Sequence, residues 1–229
     1  MRCSVIIVAA GNGTRLGLNV PKAFVPLGGQ PLLYYSMRSV GALEIIDEVV
    51  VTVPPGTQSR ARAEVERAGV QIPVKLVAGG AERQESVAIA LGLTSAEGEV
   101  VVVHDAARPF APPAIFAACI EAAGRADGAI AAIAVADTLK RTEGRTITST
   151  IAREGLWRAQ TPQAFRRPIL VEAHARAVRE RWAATDDAEL VERCGGRVEV
   201  VEHATINLKI TTPADLEIAE ALVARIFAG

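Results

Sequence analysis

Short apolar runs alternate with amphipathic stretches through the first two thirds of the chain, a rhythm that predicts a mostly parallel sheet with helices on both faces. Residues 5–9, 48–53, 74–77 and 100–103 are apolar and rich in β-branched side chains, as strands buried on both faces are. Residues 129–135 make a further run, alanine-rich rather than β-branched. Between these runs Pro31 opens a helix near its first position, and Thr57 or Ser59 can cap the next. Residues 82–93 and 113–124 carry apolar side chains near the helical period. The class that follows is α/β, doubly wound and Rossmann-like.

The rhythm breaks at residue 137. Residues 137–151 alternate polar and apolar side chains around Glu143-Gly144, the pattern of a β-hairpin. Its polar surface bars it from the core of a doubly wound sheet, and a lone hairpin is marginal in water, so it needs a support; a second copy of the chain is the one expected. The chain then returns through a helix at Pro168 and a strand at 198–202. Thr212-Pro213-Ala214-Asp215 announces the last helix with a cap, a proline in first position and an acidic first turn. No repeat or linker divides the sequence, so residues 1–229 are taken as one domain from which 137–157 protrude as a β-arm.

Composition narrows the partners. The 229 residues are 50% hydrophobic, ample for a packed core, and 25 Lys and Arg against 26 Asp and Glu leave a net charge of −1. That balance excludes a general electrostatic grip on nucleic acid or an anionic membrane, so any anion must be bound locally. Cys3, Cys119 and Cys194 are odd in number and lack metal-site spacing, and no stretch resembles a secretory or membrane-spanning segment. The chain is therefore read as cytoplasmic and reduced.

The loop leaving the first strand, Ala9-Ala10-Gly11-Asn12-Gly13-Thr14-Arg15 and on to Pro21-Lys22, carries the strongest chemical signal. At the carboxyl edge of a sheet, Gly11 and Gly13 let backbone N–H groups approach phosphate oxygens, and Arg15 and Lys22 add positive charge. The spacing matches neither familiar phosphate loop: a third glycine of the dinucleotide fingerprint would fall at Leu16, and Gly-Lys-Ser/Thr is missing. A polyphosphate cradle and a plain strand-to-helix turn with two solvated cations both remain open.

His104-Asp105-Ala106-Ala107-Arg108-Pro109 follows another apolar run, so Asp105 would face that loop. Asp105 reads either as a Mg²⁺ ligand working with substrate phosphates or as a helix cap near Pro112, while Arg108 can hold a second anionic group. Lys209 sits in a strand-like segment approaching a helix start, where it could reach the same edge or face solvent. Thr185-Asp186-Asp187-Ala188 reads as an N-cap with an acidic first turn, or else as a substrate-facing loop. Alternation turns His104 away from the loop, and His174 and His203 look like ordinary helix and strand positions.

Together the loop motif, His104–Pro109, Asp137-Thr138-Leu139-Lys140, Thr161-Pro162-Gln163 and Asn207-Leu208-Lys209-Ile210-Thr211 resemble the 2-C-methyl-D-erythritol 4-phosphate cytidylyltransferases across essentially the whole chain. The resemblance implies attack by a phosphate oxygen of methylerythritol 4-phosphate on the α-phosphorus of CTP, with release of pyrophosphate, in the non-mevalonate isoprenoid pathway. It makes Arg15, Lys22, Asp105 and Lys209 the catalytic set, with Asp105 as the Mg²⁺ ligand. It places Ala9, Ala10, Gly80 and Ser86 in the cytidine pocket, and Gly11, Gly13 and Thr14 are counted with them as nucleotide-binding. Arg83, Arg108, Thr138, Arg153, Thr161 and Thr185 match positions around the nucleotide or the sugar phosphate. It also implies a homodimer in which each arm reaches its neighbour's site.

Two positions depart from relatives: Ala81 stands where some place Asp beside the cytosine, and Ile206 where some place an acidic residue before Asn207. The alternatives are a ribitol 5-phosphate cytidylyltransferase, which shares the first two motifs, and a non-catalytic nucleotide-binding subunit, against which the intact Arg15, Lys22, Asp105 and Lys209 speak. A nicotinamide dehydrogenase lacks its fingerprint here.

Overall fold

The computed structural model describes residues 2–227. Strand β1 (Cys3–Val8) is followed by a long connection with 3-10 turns at Thr14–Leu16 and Lys22–Phe24, then by β2 (Pro26–Leu27), β3 (Gln30–Pro31) and α1 (Leu32–Gly41). Next come β4 (Ile46–Val53), α2 (Gln58–Arg67), β5 (Val74–Ala78), α3 (Arg83–Leu91), β6 (Val100–Asp105), α4 (Pro113–Ala123) and β7 (Gly128–Ala134). The hairpin β8 (Leu139–Glu143) and β9 (Thr146–Ile151) leads into β10 (Trp157–Arg166), α5 (Arg167–Glu180), α6 (Asp187–Arg193), β11 (Val198–Glu202) and α7 (Pro213–Phe227).

Seven strands form one twisted layer in the order β11-β7-β10-β6-β1-β4-β5. Every pairing in it is parallel except those of β10, which runs antiparallel between β6 and β7. The sequence pattern contains no sign of β10. Its Pro162 cannot donate to a ladder, and polar Gln160, Thr161 and Gln163 break the apolar run. The structure accommodates both, because the register opposite β7 slips between Ala159 and Gln163.

Alternation within the strands sends side chains to two cores. Cys3, Val5 and Ile7 of β1 join α1, α2 and α4 on one face, while Ile6 joins α3, α5 and α6 on the other. That two-sided burial is why the strands read as continuous apolar runs. A third cluster gathers Leu16 and Val25 from the long connection, Leu27 of β2, Leu32 and Tyr35 of α1, Ile210, and Val223 of α7. It clamps the loop after β1 and the segment around Lys209 against the same end of the sheet. The last helix carries its predicted cap: the Thr212 hydroxyl accepts from the Asp215 N–H at 3.3 Å, and the Asp215 carboxylate accepts from the Thr212 N–H at 2.8 Å.

β8 and β9 pair only with each other and form a separate small sheet whose residues are almost all exposed. Trp157 already pairs with Ala134 of β7, so the far end of the 137–157 arm belongs to the central sheet. No helix among the described residues is long and apolar enough to cross a membrane.

Candidate active site

Sheet register builds the site. Val8, the last residue of β1, lies opposite Asp105, the last of β6, and the Ala106 N–H donates to the Val8 carbonyl at 3.0 Å. The two loops that follow therefore leave the same carboxyl edge side by side, and the turn after β5 closes a third wall. They enclose a cleft of about 330 Å³. Ala9, Ala10, Gly11, Gly13, Thr14, Arg15 and Lys22 line it from the first loop, Gly80, Arg83 and Ser86 from the turn and α3, and Asp105 and Lys209 complete it. At two glycines the local backbone decides the residue type. Gly13 has φ +67°, which a side chain rarely adopts, and a Cβ on Gly79 would lie 2.3 Å from that of Ala10. Gly79 escaped the sequence reading because its tightest constraint comes from Ala10, in the loop after β1 and far away in the chain.

Asp105 is the hub. Its Oδ2 accepts from Lys209 Nζ at 2.6 Å and its Oδ1 from Arg83 Nε at 3.0 Å. Burial alone would raise its pKa, but the Arg83 and Lys209 charges and their hydrogen bonds outweigh it and hold the carboxyl well below the ordinary carboxylate range. Asp105 is thus a permanent anion and caps no helix. Arg83 also donates from Nη1 to Asp187 Oδ2 at 2.7 Å, and Asp187 Oδ1 meets His174 Nε2 at 3.0 Å. A chain of hydrogen bonds runs from His174 of α5 through Asp187 of α6 and Arg83 of α3 to Asp105 in the cleft. The sequence places Asp187 in a segment that reads as an N-cap with an acidic first turn or a substrate-facing loop, and His174 at an ordinary helix position, and joins neither of them to Arg83. Asp186 does cap α6, accepting from the Glu189 N–H at 3.0 Å.

Apart from Asp105 and Glu82, the charged side chains lining the cleft are cationic. Burial, reinforced by the neighbouring Lys209 ammonium and partly opposed by Asp105, lowers the Lys22 pKa to about 8. Arg15 stands exposed at the mouth. The segment carrying Lys209 is irregular rather than a strand, pinned by the Ile210 N–H donating to the Ala107 carbonyl at 2.9 Å.

Arg108 opens a second, adjoining cleft of about 350 Å³, which it lines with Arg158, Gln160, Ile206 and Lys209. Arg108 Nη1 donates to the Asn207 carbonyl at 2.7 Å, while its buried Nε has no protein partner. Arg158 was not anticipated: it lies on the strand the sequence concealed. Thr161 is placed differently from the substrate contact its motif implies. It is buried, and its hydroxyl accepts from the Asp105 N–H at 3.0 Å and faces His104 Nδ1 at 3.2 Å. Its geometry makes it a strut behind Asp105. His104, fully buried, is pushed down to about 4 chiefly by that burial and is neutral at ordinary pH. Thr185 is exposed, its hydroxyl bonded to Glu189, and Thr138 and Arg153 are exposed at the base of the arm, outside both clefts.

The chain is similar to known proteins in sequence and in fold. The family model described as "IspD: 2-C-methyl-D-erythritol 4-phosphate cytidylyltransferase" matches residues 3–225. A Deinococcus radiodurans protein named 2-C-methyl-D-erythritol 4-phosphate cytidylyltransferase is 46% identical over 229 residues, covering 100% of this chain and 92% of its own. The crystal structure of the Thermus thermophilus protein of that name superposes with a TM-score of 0.81 at 38% identity, covering 97% of this chain and 98% of its own. The structure of 4-diphosphocytidyl-2C-methyl-D-erythritol synthase from Anaerococcus prevotii gives 0.86 at 27% identity, covering 97% and 96%.

Proposed function

The chain belongs to the 2-C-methyl-D-erythritol 4-phosphate cytidylyltransferase family, and from that membership we infer that its two clefts hold the two halves of one reaction. The enzyme transfers CMP from CTP to 2-C-methyl-D-erythritol 4-phosphate in isoprenoid synthesis, releasing pyrophosphate and forming 4-diphosphocytidyl-2-C-methyl-D-erythritol. The observation that carries the assignment of roles is Lys209, which lines both clefts and is tied to Asp105. A group there touches the α-phosphate from one side and the incoming phosphate from the other.

CTP occupies the first cleft, with its base against the small residues Ala9, Ala10, Gly80 and Ser86. Its β- and γ-phosphates lie over the backbone of Gly11, Gly13 and Thr14, within reach of Arg15 and Lys22. Methylerythritol 4-phosphate enters the second cleft, where the unpartnered Nε of Arg108 is a ready donor for its phosphate. A phosphate dianion is already nucleophilic, so no general base is required. Arg15, Lys22 and Lys209 instead align the reacting oxygens and stabilise charge that builds on the α-phosphate and on departing pyrophosphate.

The donor set fits Mg²⁺. Asp105 is ionised and uses two of the roughly four lone-pair directions of a carboxylate. No group of three His, Cys, Asp or Glu able to hold a metal occurs among the described residues, so substrate phosphates and water would complete the shell, as is usual for Mg²⁺. Bound there, the ion would neutralise phosphate charge. The exposed arm, with Thr138 and Arg153 outside the clefts of their own chain, supports a homodimer in which they serve the neighbour's second cleft. An assay of CTP turnover with methylerythritol 4-phosphate and ribitol 5-phosphate in parallel, over a Mg²⁺ titration, tests the reading. Turnover is expected with the first acceptor only and only with the metal; preference for ribitol 5-phosphate or metal-free turnover would overturn it.

A further inference from the structure

Arg83 is held by two carboxylates, of which only Asp105 lines the nucleotide cleft. Asp187 sits behind it, 1% exposed, and its other oxygen is taken by His174, 4% exposed. Asp187 is itself fixed from below. Gln163 of β10 donates to Asp186 at 2.8 Å and accepts from the Ala188 N–H at 3.3 Å, bracketing the residue between them. We propose that Asp187 and His174 are positioning residues for the transfer reaction, a buried tether that holds the Arg83 guanidinium, and through it the Asp105 carboxylate, in the reactive geometry. The proposal rests on the catalytic reading of the cleft given above.

The physical case is one of competing demands on Asp105. In the free cleft its two oxygens serve Lys209 and Arg83. With substrate phosphates and a metal bound, Lys209 would have new anions to bond and Asp105 a stronger cation, so the hold of Asp105 on Arg83 would weaken. A guanidinium held by Asp105 alone would then be free to turn toward the phosphates and lose its fixed position beside Asp105. Asp187 cannot be drawn away, because it is buried outside the cleft and bonded on its other oxygen. It keeps Nη1 in place and leaves Nη2, buried without a protein partner, as the free donor of the fork. Asp187 and His174 do not line the cleft, so they act only through Arg83.

The test is a double-mutant cycle of Asp187→Asn with Arg83→Met. Asp187→Asn should lower kcat by about 10- to 100-fold, the usual cost of losing such a support, while CTP affinity by calorimetry changes less than about threefold. In the Arg83→Met background the same substitution should cost less than about twofold, because the tether has nothing left to hold. Asp187→Glu should recover part of the loss. If Asp187→Asn does not fold, His174→Gln, which leaves the carboxylate in place, should show a smaller loss of kcat with the same silence in Arg83→Met. Equal cost in both backgrounds, or equal loss of kcat and CTP affinity, would overturn the proposal and make the tether a matter of stability alone. In arginine-labelled NMR the restricted rotation of the Arg83 Nη1 group, which donates to Asp187, gives a signal assigned by its disappearance in Arg83→Met; it should vanish in Asp187→Asn. That signal needs no turnover, so a parent enzyme inactive with CTP would sink the catalytic reading, whereas an unchanged signal would sink the tether.

Discussion

The nucleotide cleft and the hairpin arm are both rich in charged and hydroxyl side chains, yet they differ in what holds those groups. Around the cleft, Asp105, Arg83, Asp187 and His174 bond to one another in a chain, and Thr161 and His104 brace it from behind. In the arm, Lys140 bonds Thr150, and Thr148 bonds the Arg141 carbonyl; each contact stays within the hairpin and faces solvent. The arm is locally complete and globally unsupported. Asp105, Arg83 and Lys209 of the cleft are paired within one chain, while Thr138 and Arg153 lie exposed and outside both clefts of their own chain.

The largest expected effect breaks the cleft side of that contrast. Asp105→Asn keeps the size of the side chain but removes the charge that pairs Arg83 and Lys209, and kcat should fall on the order of 10³-fold. Steady-state kinetics over a Mg²⁺ titration check it; an Asn variant that titrates like the parent would show that Asp105 holds no metal. Next comes the arm. Replacing residues 138–151 by a short turn should leave the circular dichroism of the sheet intact, yield monomers by light scattering, and lower turnover roughly 10²-fold by misplacing the acceptor phosphate. A folded monomer with full turnover would make the single chain sufficient.

A smaller effect concerns charge already stored in the cleft. Lys22 has a folded pKa lowered to about 8, so raising the pH through that value removes its positive charge from the place the proposed function gives the triphosphate. The kcat/KM for CTP should fall along a basic limb approaching about tenfold per pH unit above the pKa, and Lys22→Arg, which stays charged, should abolish the limb. A limb that persists unchanged in the arginine variant belongs to another group. The smallest effect is on the arm's surface: Ile147 is 61% exposed, so Ile147→Thr should shift unfolding free energy by less than about 0.5 kcal/mol in chemical denaturation. A larger loss that grows on dilution would place Ile147 in a contact between copies.

Local chemistry was legible in the sequence. The strands that become β1, β4, β5 and β6 are apolar on both faces, and the turn residues Gly11 and Gly13 stand beside Arg15 and Lys22 within one short stretch of sequence. The capped start of α7 and the hairpin around Gly144 are equally local. What stayed hidden depends on pairing between residues far apart in the chain. β10 reads as a broken polar stretch because its Gln163 and Thr161 bond to α6 and to Asp105, partners that exist only after the sheet is assembled. Asp187 and His174 look ordinary for the same reason. Burying a charge is unfavourable unless an opposite charge meets it there, and which charge meets which is decided by tertiary packing, not by spacing along the chain.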